Sequence, residues 1–204
     1  MSNILDLVQS QLSGDVLEQL AQQIGGGKAE TQNAISSAIP AMLQAMQKNA
    51  SSTEGAMSLA NALEKDHDGS ILSNLMGFIT AGNDTNGGSG ILQHLFGQKK
   101  STVETVISDN SGLNNNATSN LMTQLAPIVM GFLGQQKQQG GLDVSSIASL
   151  VMNQLSGAKT QAQQKGGNPA LDMVTRLLDK EGDGIADDLM DIGKGLLGGL
   201  FGKK

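Results

Sequence analysis

Laid against itself at an offset of 87 residues, the chain places Pro40 on Pro127 and, around them, two matching apolar registers. Ala34 falls on Leu121, Ile35 on Met122, Ala38 on Leu125, Met42 on Val129, Leu43 on Met130 and Met46 on Leu133. The register runs backwards through Val16 on Val103, Leu20 on Ile107 and Gly25 on Gly112. Forwards it takes in Met57 on Val144, Ala60 on Ile147 and Leu63 on Leu150. A repeat of this kind restricts a chain to folds in which one supersecondary unit packs against a relative of itself. The expectation is an internal duplication of a unit of roughly 50 residues, near 14–63 and 101–150. Chance coincidence of two amphipathic patterns is the alternative.

Each copy reads as three helices. A short amphipathic helix comes first, carried in the first copy by Val16, Leu17, Leu20 and Ile24. The second copy opens on Ser101-Thr-Val-Glu104, the spacing of a capping box in which side chains satisfy the first free N–H groups. Gly25-Gly26-Gly27, matched by Gly112 and Asn114-Asn115-Asn116, then turns the chain. A long helix follows, with apolar residues at three- and four-residue steps and a proline near its middle that should kink it. The third helices are expected near 53–64 and 143–156. Further helices are expected near 3–12, 70–81 and 90–97. Beyond a polar linker, a C-terminal helical pair is expected near 169–179 and 184–198. Nothing alternates with period two for long enough to make a sheet, so the fold class is all-α: two related three-helix units plus a C-terminal helical pair. The divisions are 1–100, a first helical unit with an acidic loop; 101–156, a second helical unit; 157–167, a polar linker; and 168–204, an acidic-loop helix pair with a Gly-rich tail.

Composition limits what such helices can do. There is no Trp or Tyr and only four Phe, so the core must be built from aliphatic residues and ten Met. A net charge of −6 and a single arginine, Arg176, leave no clustered cations for a phosphate backbone. With so few aromatics there is no stacking platform for single strands either, and nucleic acid is not expected as a partner. The longest apolar stretch, near Leu125 to Leu133, is about half the length a bilayer span needs, so no transmembrane segment is expected. The N-terminus lacks the basic and apolar regions of a signal peptide, which makes cytoplasmic the expected location.

Few residue patterns point to chemistry. Gly25-Gly26-Gly27-Lys28 is superficially like a phosphate loop, but the residue after the lysine is Ala29, where Ser or Thr is needed, and no strand precedes it. Two acidic loops are better candidates. Leu63-Glu64-Lys65-Asp66-His67-Asp68-Gly69 resembles Leu178-Asp179-Lys180-Glu181-Gly182-Asp183-Gly184. Carboxylates at alternate positions ahead of a glycine are how a helix–loop–helix wraps oxygens around Ca²⁺. In the second loop Asp179, Glu181, Asp183, Asp187 and Asp188 are the candidate metal ligands, although Met190 stands where a bidentate Glu belongs. Affinity on the order of 0.1–1 mM would follow. The plainer reading makes both loops helix connections whose acids favour the next helix N-terminus. The first loop is the poorer site, with Leu72 and Leu75 at the later positions. His67 and His94 are the only histidines; His94, flanked by apolar residues, is expected to be partly buried. No catalytic constellation is apparent. The tail from Gly193 to Lys204 is apolar, basic and Gly-rich, a segment suited to a membrane surface or a partner's groove; its five glycines make it a poor isolated helix, and a docked or frayed tail is the plainer reading.

Three segments also resemble a known family. Ile91-Leu92-Gln93-His94-Leu95-Phe96-Gly97, Leu125-Ala126-Pro127-Ile128-Val129-Met130-Gly131 and Asp179-Lys180-Glu181-Gly182-Asp183-Gly184 are similar to those of the bacterial domain of unknown function 937, related to the YidB-like proteins. The resemblance implies a bacterial cytoplasmic helical protein and brings no activity, cofactor or catalytic residue. The functional expectation is therefore a non-enzymatic structural or interaction protein, binding a protein partner or self-associating. The alternative is a weak calcium-binding module built on the 179–188 loop.

Overall fold

The structure, a computed structural model, describes residues 4–82, 87–141, 144–164 and 169–179. These residues are helical, with no strand among them. Helix α1 (Ile4–Gln11) buries Ile4 and Val8, one turn apart, and Leu12 continues the same line just past its end. Its first N–H is bonded to Oε1 of the buried Gln154 at 2.7 Å, so the N-terminal segment is anchored on a helix 150 residues away.

Helices α2 (Gly14–Ile24), α3 (Lys28–Asn49) and α4 (Thr53–Lys65) follow in the expected order. Later in the chain come α7 (Lys100–Ser111), α8 (Asn115–Gly140) and α9 (Val144–Gln164), where the second trio of helices is expected. Gly25 ends α2 and Gly112 ends α7, both left-handed, at φ 74° and 85°. That conformation suits glycine, whose missing Cβ removes the steric penalty. Gly25 donates to the Gln22 carbonyl and Gly26 to that of Ala21, which closes α2 with a Schellman turn.

Between α4 and α7 the chain forms a 3-10 turn (Ser70–Asn74), α5 (Leu75–Ala81) and α6 (Gly88–Phe96). The single helix expected near 70–81 is thus two pieces. The Asn74 side chain accepts from the Gly77 N–H at 3.1 Å, and this cap starts a new helix. Finally α10 (Pro169–Asp179) lies against α3 and α7, burying Ala170, Leu171, Val174, Leu177 and Leu178.

Two local expectations are corrected. Ser101 does not cap α7, which already begins at Lys100 after a 3-10 turn (Gly97–Lys99). Glu104 instead pairs with Lys100 at 3.0 Å and accepts from Ser119 Oγ at 3.0 Å, fastening α7 to α8. Likewise α9 does not stop near residue 156. It continues to Gln164 through much of the presumed linker, because Ala158 is fully buried and one glycine costs a helix only about 1 kcal/mol.

Most of the buried apolar residues form one continuous cluster from Ile4 to Leu178. All twelve apolar residues singled out on α3 and α8 are in it, each at most 4% exposed. Met57, expected to share the register of α4, is instead 51% exposed. Pro40 and Pro127 are buried within unbroken helices. Helix α9 packs chiefly on α3, and α4 packs on α8 and α9 more than on its sequence neighbour α3. No helix among the described residues is long and apolar enough to cross a membrane.

Candidate functional site

Helix α4 has a wider apolar arc than its helical neighbours cover. Its N-terminus is fixed by Ser52, whose side chain accepts from the Gly55 N–H at 3.1 Å. Ala56, Ala60 and Leu63 then point into the core at helical spacing. The adjoining face, Gly55, Ser58, Leu59 and Ala62, looks across a cleft at α6. On the α6 side stand Gly90, Ile91, His94 and Leu95, while Leu92 and Phe96 are held in the core. Met46 of α3 and Met130 of α8 form the floor, and Asp66 and His67 close one end. At the other end Asn49 Nδ2 donates to the His94 carbonyl at 3.3 Å and ties α3 to α6. The cavity is about 300 Å³ and mainly apolar.

The loop beyond α4 forms a second concavity, of about 410 Å³, lined by residues 66–71 together with Asn74, Gly77 and Phe78. Close approach to α8 holds this loop in place. A Cβ on Gly134 would overlap the carbonyl oxygen of His67, so only glycine lets the end of α4 sit this near α8. His67 is half-buried, and burial pushes its pKa below the ordinary 6.5 against the opposing pull of Asp66 and Asp68. Asp68 Oδ1 accepts from the Ser70 N–H at 2.9 Å, which holds its carboxyl below the usual carboxylate range. Glu64 is held low in the same sense by Lys137, whose Nζ lies 2.8 Å from Oε2.

The first acidic loop therefore turns its carboxylates outward or onto Lys137. Leu75 is buried and Leu72 packs on the core, so neither of those positions supplies a ligand oxygen. Among the described residues, no three His, Asp or Glu side chains are grouped to hold a metal ion. Of the second-loop ligands, Glu181, Asp183, Asp187 and Asp188 lie outside the described residues, as does the side chain of Asp179 at the last position of α10. At the end of α10 the structure places positive charge. Lys48 Nζ donates to the Leu178 carbonyl at 2.6 Å, and Lys99 Nζ to that of Leu177 at 2.5 Å. His94 is exposed, not partly buried, because Leu92, Leu95 and Phe96 take the inward positions of α6. Gly25 and Lys28 form a helix cap and an exposed pair with Glu18 at 3.9 Å, not a phosphate cradle.

Sequence reading did not find the cleft. Its signal was present in the small and apolar line 55, 58, 59, 62 running beside the core line 56, 60, 63. The partner across the cleft, α6, is brought there only by the tertiary fold.

The fold and the cleft together define an all-helical protein with a methionine-floored groove on one side. The chain belongs to the family described as bacterial protein of unknown function, domain of unknown function 937, whose model matches residues 6–136. No curated protein and no solved structure matches the chain. The matched span includes both walls and the floor of the cleft. It ends before α9 and α10, so the resembling segment Asp179 to Gly184 lies beyond it.

Proposed function

We propose that this protein is a non-enzymatic interaction module of the bacterial cytoplasm, and that its working surface is the cleft between α4 and α6. The observation that carries this reading is the chemistry of the cleft: a floor of Met46 and Met130 between walls of small and apolar residues. Methionine is pliable enough to pack against differing side chains, and a groove between two helices is how an amphipathic helix is commonly received. Among the described residues the one hydroxyl lining the cleft is that of Ser58, and no hydrogen bond joins it to His67 or His94. The site therefore offers shape and apolar surface more than an activated nucleophile. The occupant is a protein, either a partner or a copy of this chain.

The same reading takes α2–α3–α4 and α7–α8–α9 as copies of one unit. Support comes from the glycine caps and buried prolines standing 87 residues apart. The calcium reading of the 179–188 loop ranks second. Its support is the spacing of the carboxylates, while the ammonium groups of Lys48 and Lys99 beside the end of α10 would oppose a second cation there.

The test is photo-crosslinking in the native host from a benzoylphenylalanine placed at Ser58, which is exposed at the cleft wall. An adduct with a protein chain is expected, and it should be lost when Gly90→Leu fills the cleft. Gly90 suits this purpose because a Cβ there meets no atom within 4 Å. Absence of any protein adduct, or an adduct indifferent to Gly90→Leu, would overturn the reading.

A further inference from the structure

We propose that the occupant of the α4–α6 cleft is an amphipathic helix of another protein that carries lysine or arginine at one end, with that end lying over Asp66 and Asp68. The inference rests on reading the cleft as a protein-binding groove, and it names the chemical class of the partner.

The groove is longer than the cleft alone. Asp66 and His67 line both the cleft of about 300 Å³ and the concavity of about 410 Å³ beyond α4, so the two meet at these residues. Asp66 stands eleven positions after Gly55, about 17 Å along a helix axis, which is room for three turns of a partner. The groove changes character along that length. Met46, Met130 and Leu59 make one stretch apolar, and Asp66, Asp68 and Asn74 make the other polar. An occupant must therefore be apolar along one face and polar where it runs past His67.

The polar end is negative. Among the described residues, no lysine or arginine lines either concavity, and no ion pair takes up Asp66 or Asp68. The neighbouring cations are engaged elsewhere: Lys48 and Lys99 on carbonyls of α10, and Lys137 on Glu64. Lys65, which also acts on Glu64, lies outside both linings. Helix α4 ends at Lys65, so the negative end of its dipole reinforces the two carboxylates. Half-buried His67, with its pKa pushed below 6.5, is mostly neutral at pH 7 and does not offset them.

Charge complementarity then selects the occupant. A segment with lysine or arginine at its polar end is drawn to Asp66 and Asp68, and an acidic one is repelled. A second copy of this chain would bring a net charge of −6 to the same acidic groove, which disfavours self-association there. Ser58 stands eight positions before Asp66, about 12 Å along α4. In the bound helix the cation therefore lies about two turns from the side chain that packs on Ser58.

Benzoylphenylalanine at Ser58 supplies the test in the native host, with the captured segment located by mass spectrometry. It is used in the otherwise unmutated chain and in Asp66→Lys combined with Asp68→Asn. A control, Asp15→Lys with Asp109→Asn, makes the same charge change on exposed faces of α2 and α7. Asparagine at 68 keeps an oxygen for the Ser70 N–H, so the loop retains its turn. The captured segment should carry lysine or arginine within about two to three turns of the crosslinked residue. The first pair of substitutions should cut the adduct at least about fivefold, and the control should leave it unchanged. Asp66→Asn with Asp68→Asn, a milder pair, should cut it less but in the same direction. The segment is then synthesised as found and with its lysines and arginines replaced by glutamine, and both peptides are titrated against the full-length chain. The glutamine peptide should bind at least about fivefold more weakly, and the difference should vanish or reverse in Asp66→Lys, Asp68→Asn. Peptides of equal affinity, an adduct indifferent to the charge change, or equal loss in the control would overturn the inference and leave the interaction cleft standing. An adduct with this chain itself would overturn it in favour of a second copy. No protein adduct at all would sink both readings.

Discussion

Lys48 and Leu178 are 130 residues apart in sequence, yet the lysine ammonium donates to the leucine carbonyl at 2.6 Å and caps the last turn of α10. A cation at a helix C-terminus meets both the free carbonyls and the negative end of the helix dipole.

Removing that cap should loosen α10 before anything else. Lys48→Met keeps the apolar stem and deletes the charge, and is expected to cost about 1–2 kcal/mol. Adding Lys99→Met should cost more, and amide exchange in 169–179 should accelerate ahead of exchange in α3. Uniform acceleration across the molecule would mean that α10 is not a separately opening element.

Two glycine-to-alanine substitutions should move stability in opposite directions. In Gly134→Ala the new methyl meets the His67 carbonyl, a backbone atom that cannot swing aside, and a loss of about 1–3 kcal/mol is expected. In Gly90→Ala the methyl enters open space, and better helix propensity should add up to about 1 kcal/mol. Thermal melts followed by circular dichroism give both signs directly.

In the core, Leu43→Asp and Met130→Asp each place a carboxylate among apolar side chains. Loss of several kcal/mol is expected for each, enough to lower the melting temperature by well over ten degrees or to prevent folding. Near-wild-type melting would mean that these faces of α3 and α8 do not face the core.

His67 should make the fold sensitive to mild acid. Its pKa in the folded state lies below the ordinary 6.5, so the unfolded chain takes up the proton first as pH falls. Its contribution is constant above about pH 7 and is lost progressively as pH drops through 6.5 towards the folded value. His67→Gln should flatten this part of the stability profile, and the His67 imidazole should titrate below 6.5 by NMR. A midpoint above 6.5 would reverse the sign.

Residues 34–46 and 121–133 were legible because helical burial writes a periodicity into sequence, and Leu20, Ile107, Ala60 and Leu150 followed the same rule. The polar positions were less so. Glu104 had the spacing of a cap and became a link to Ser119, because Gly97 and the turn after it started α7 earlier than local pattern suggested. Gly157 looked like a stop, but the buried Ala158 beside it carries α9 onward. His94 was misjudged for a related reason: its apolar neighbours point inward and leave it on the outside. The cleft depends on α4, α6, α3 and α8 meeting, which no local pattern encodes. The 179–188 carboxylates remain a sequence argument.

The packing of α9 on α3 also bears on how the chain comes off the ribosome. The surface of α3 that receives α9 is synthesised by residue 49, but α9 is not complete until residue 164. At synthesis rates of about 5–20 residues per second, that surface waits on the order of 6–23 seconds for its cover. A nascent helix rich in alanine and methionine is thus left open to solvent, and to whatever binds exposed apolar segments in the cell, until most of the protein has emerged. Ribosome-bound chains halted near residue 140 should accordingly be far more sensitive to protease within α3 than chains halted after α9 has cleared the exit tunnel.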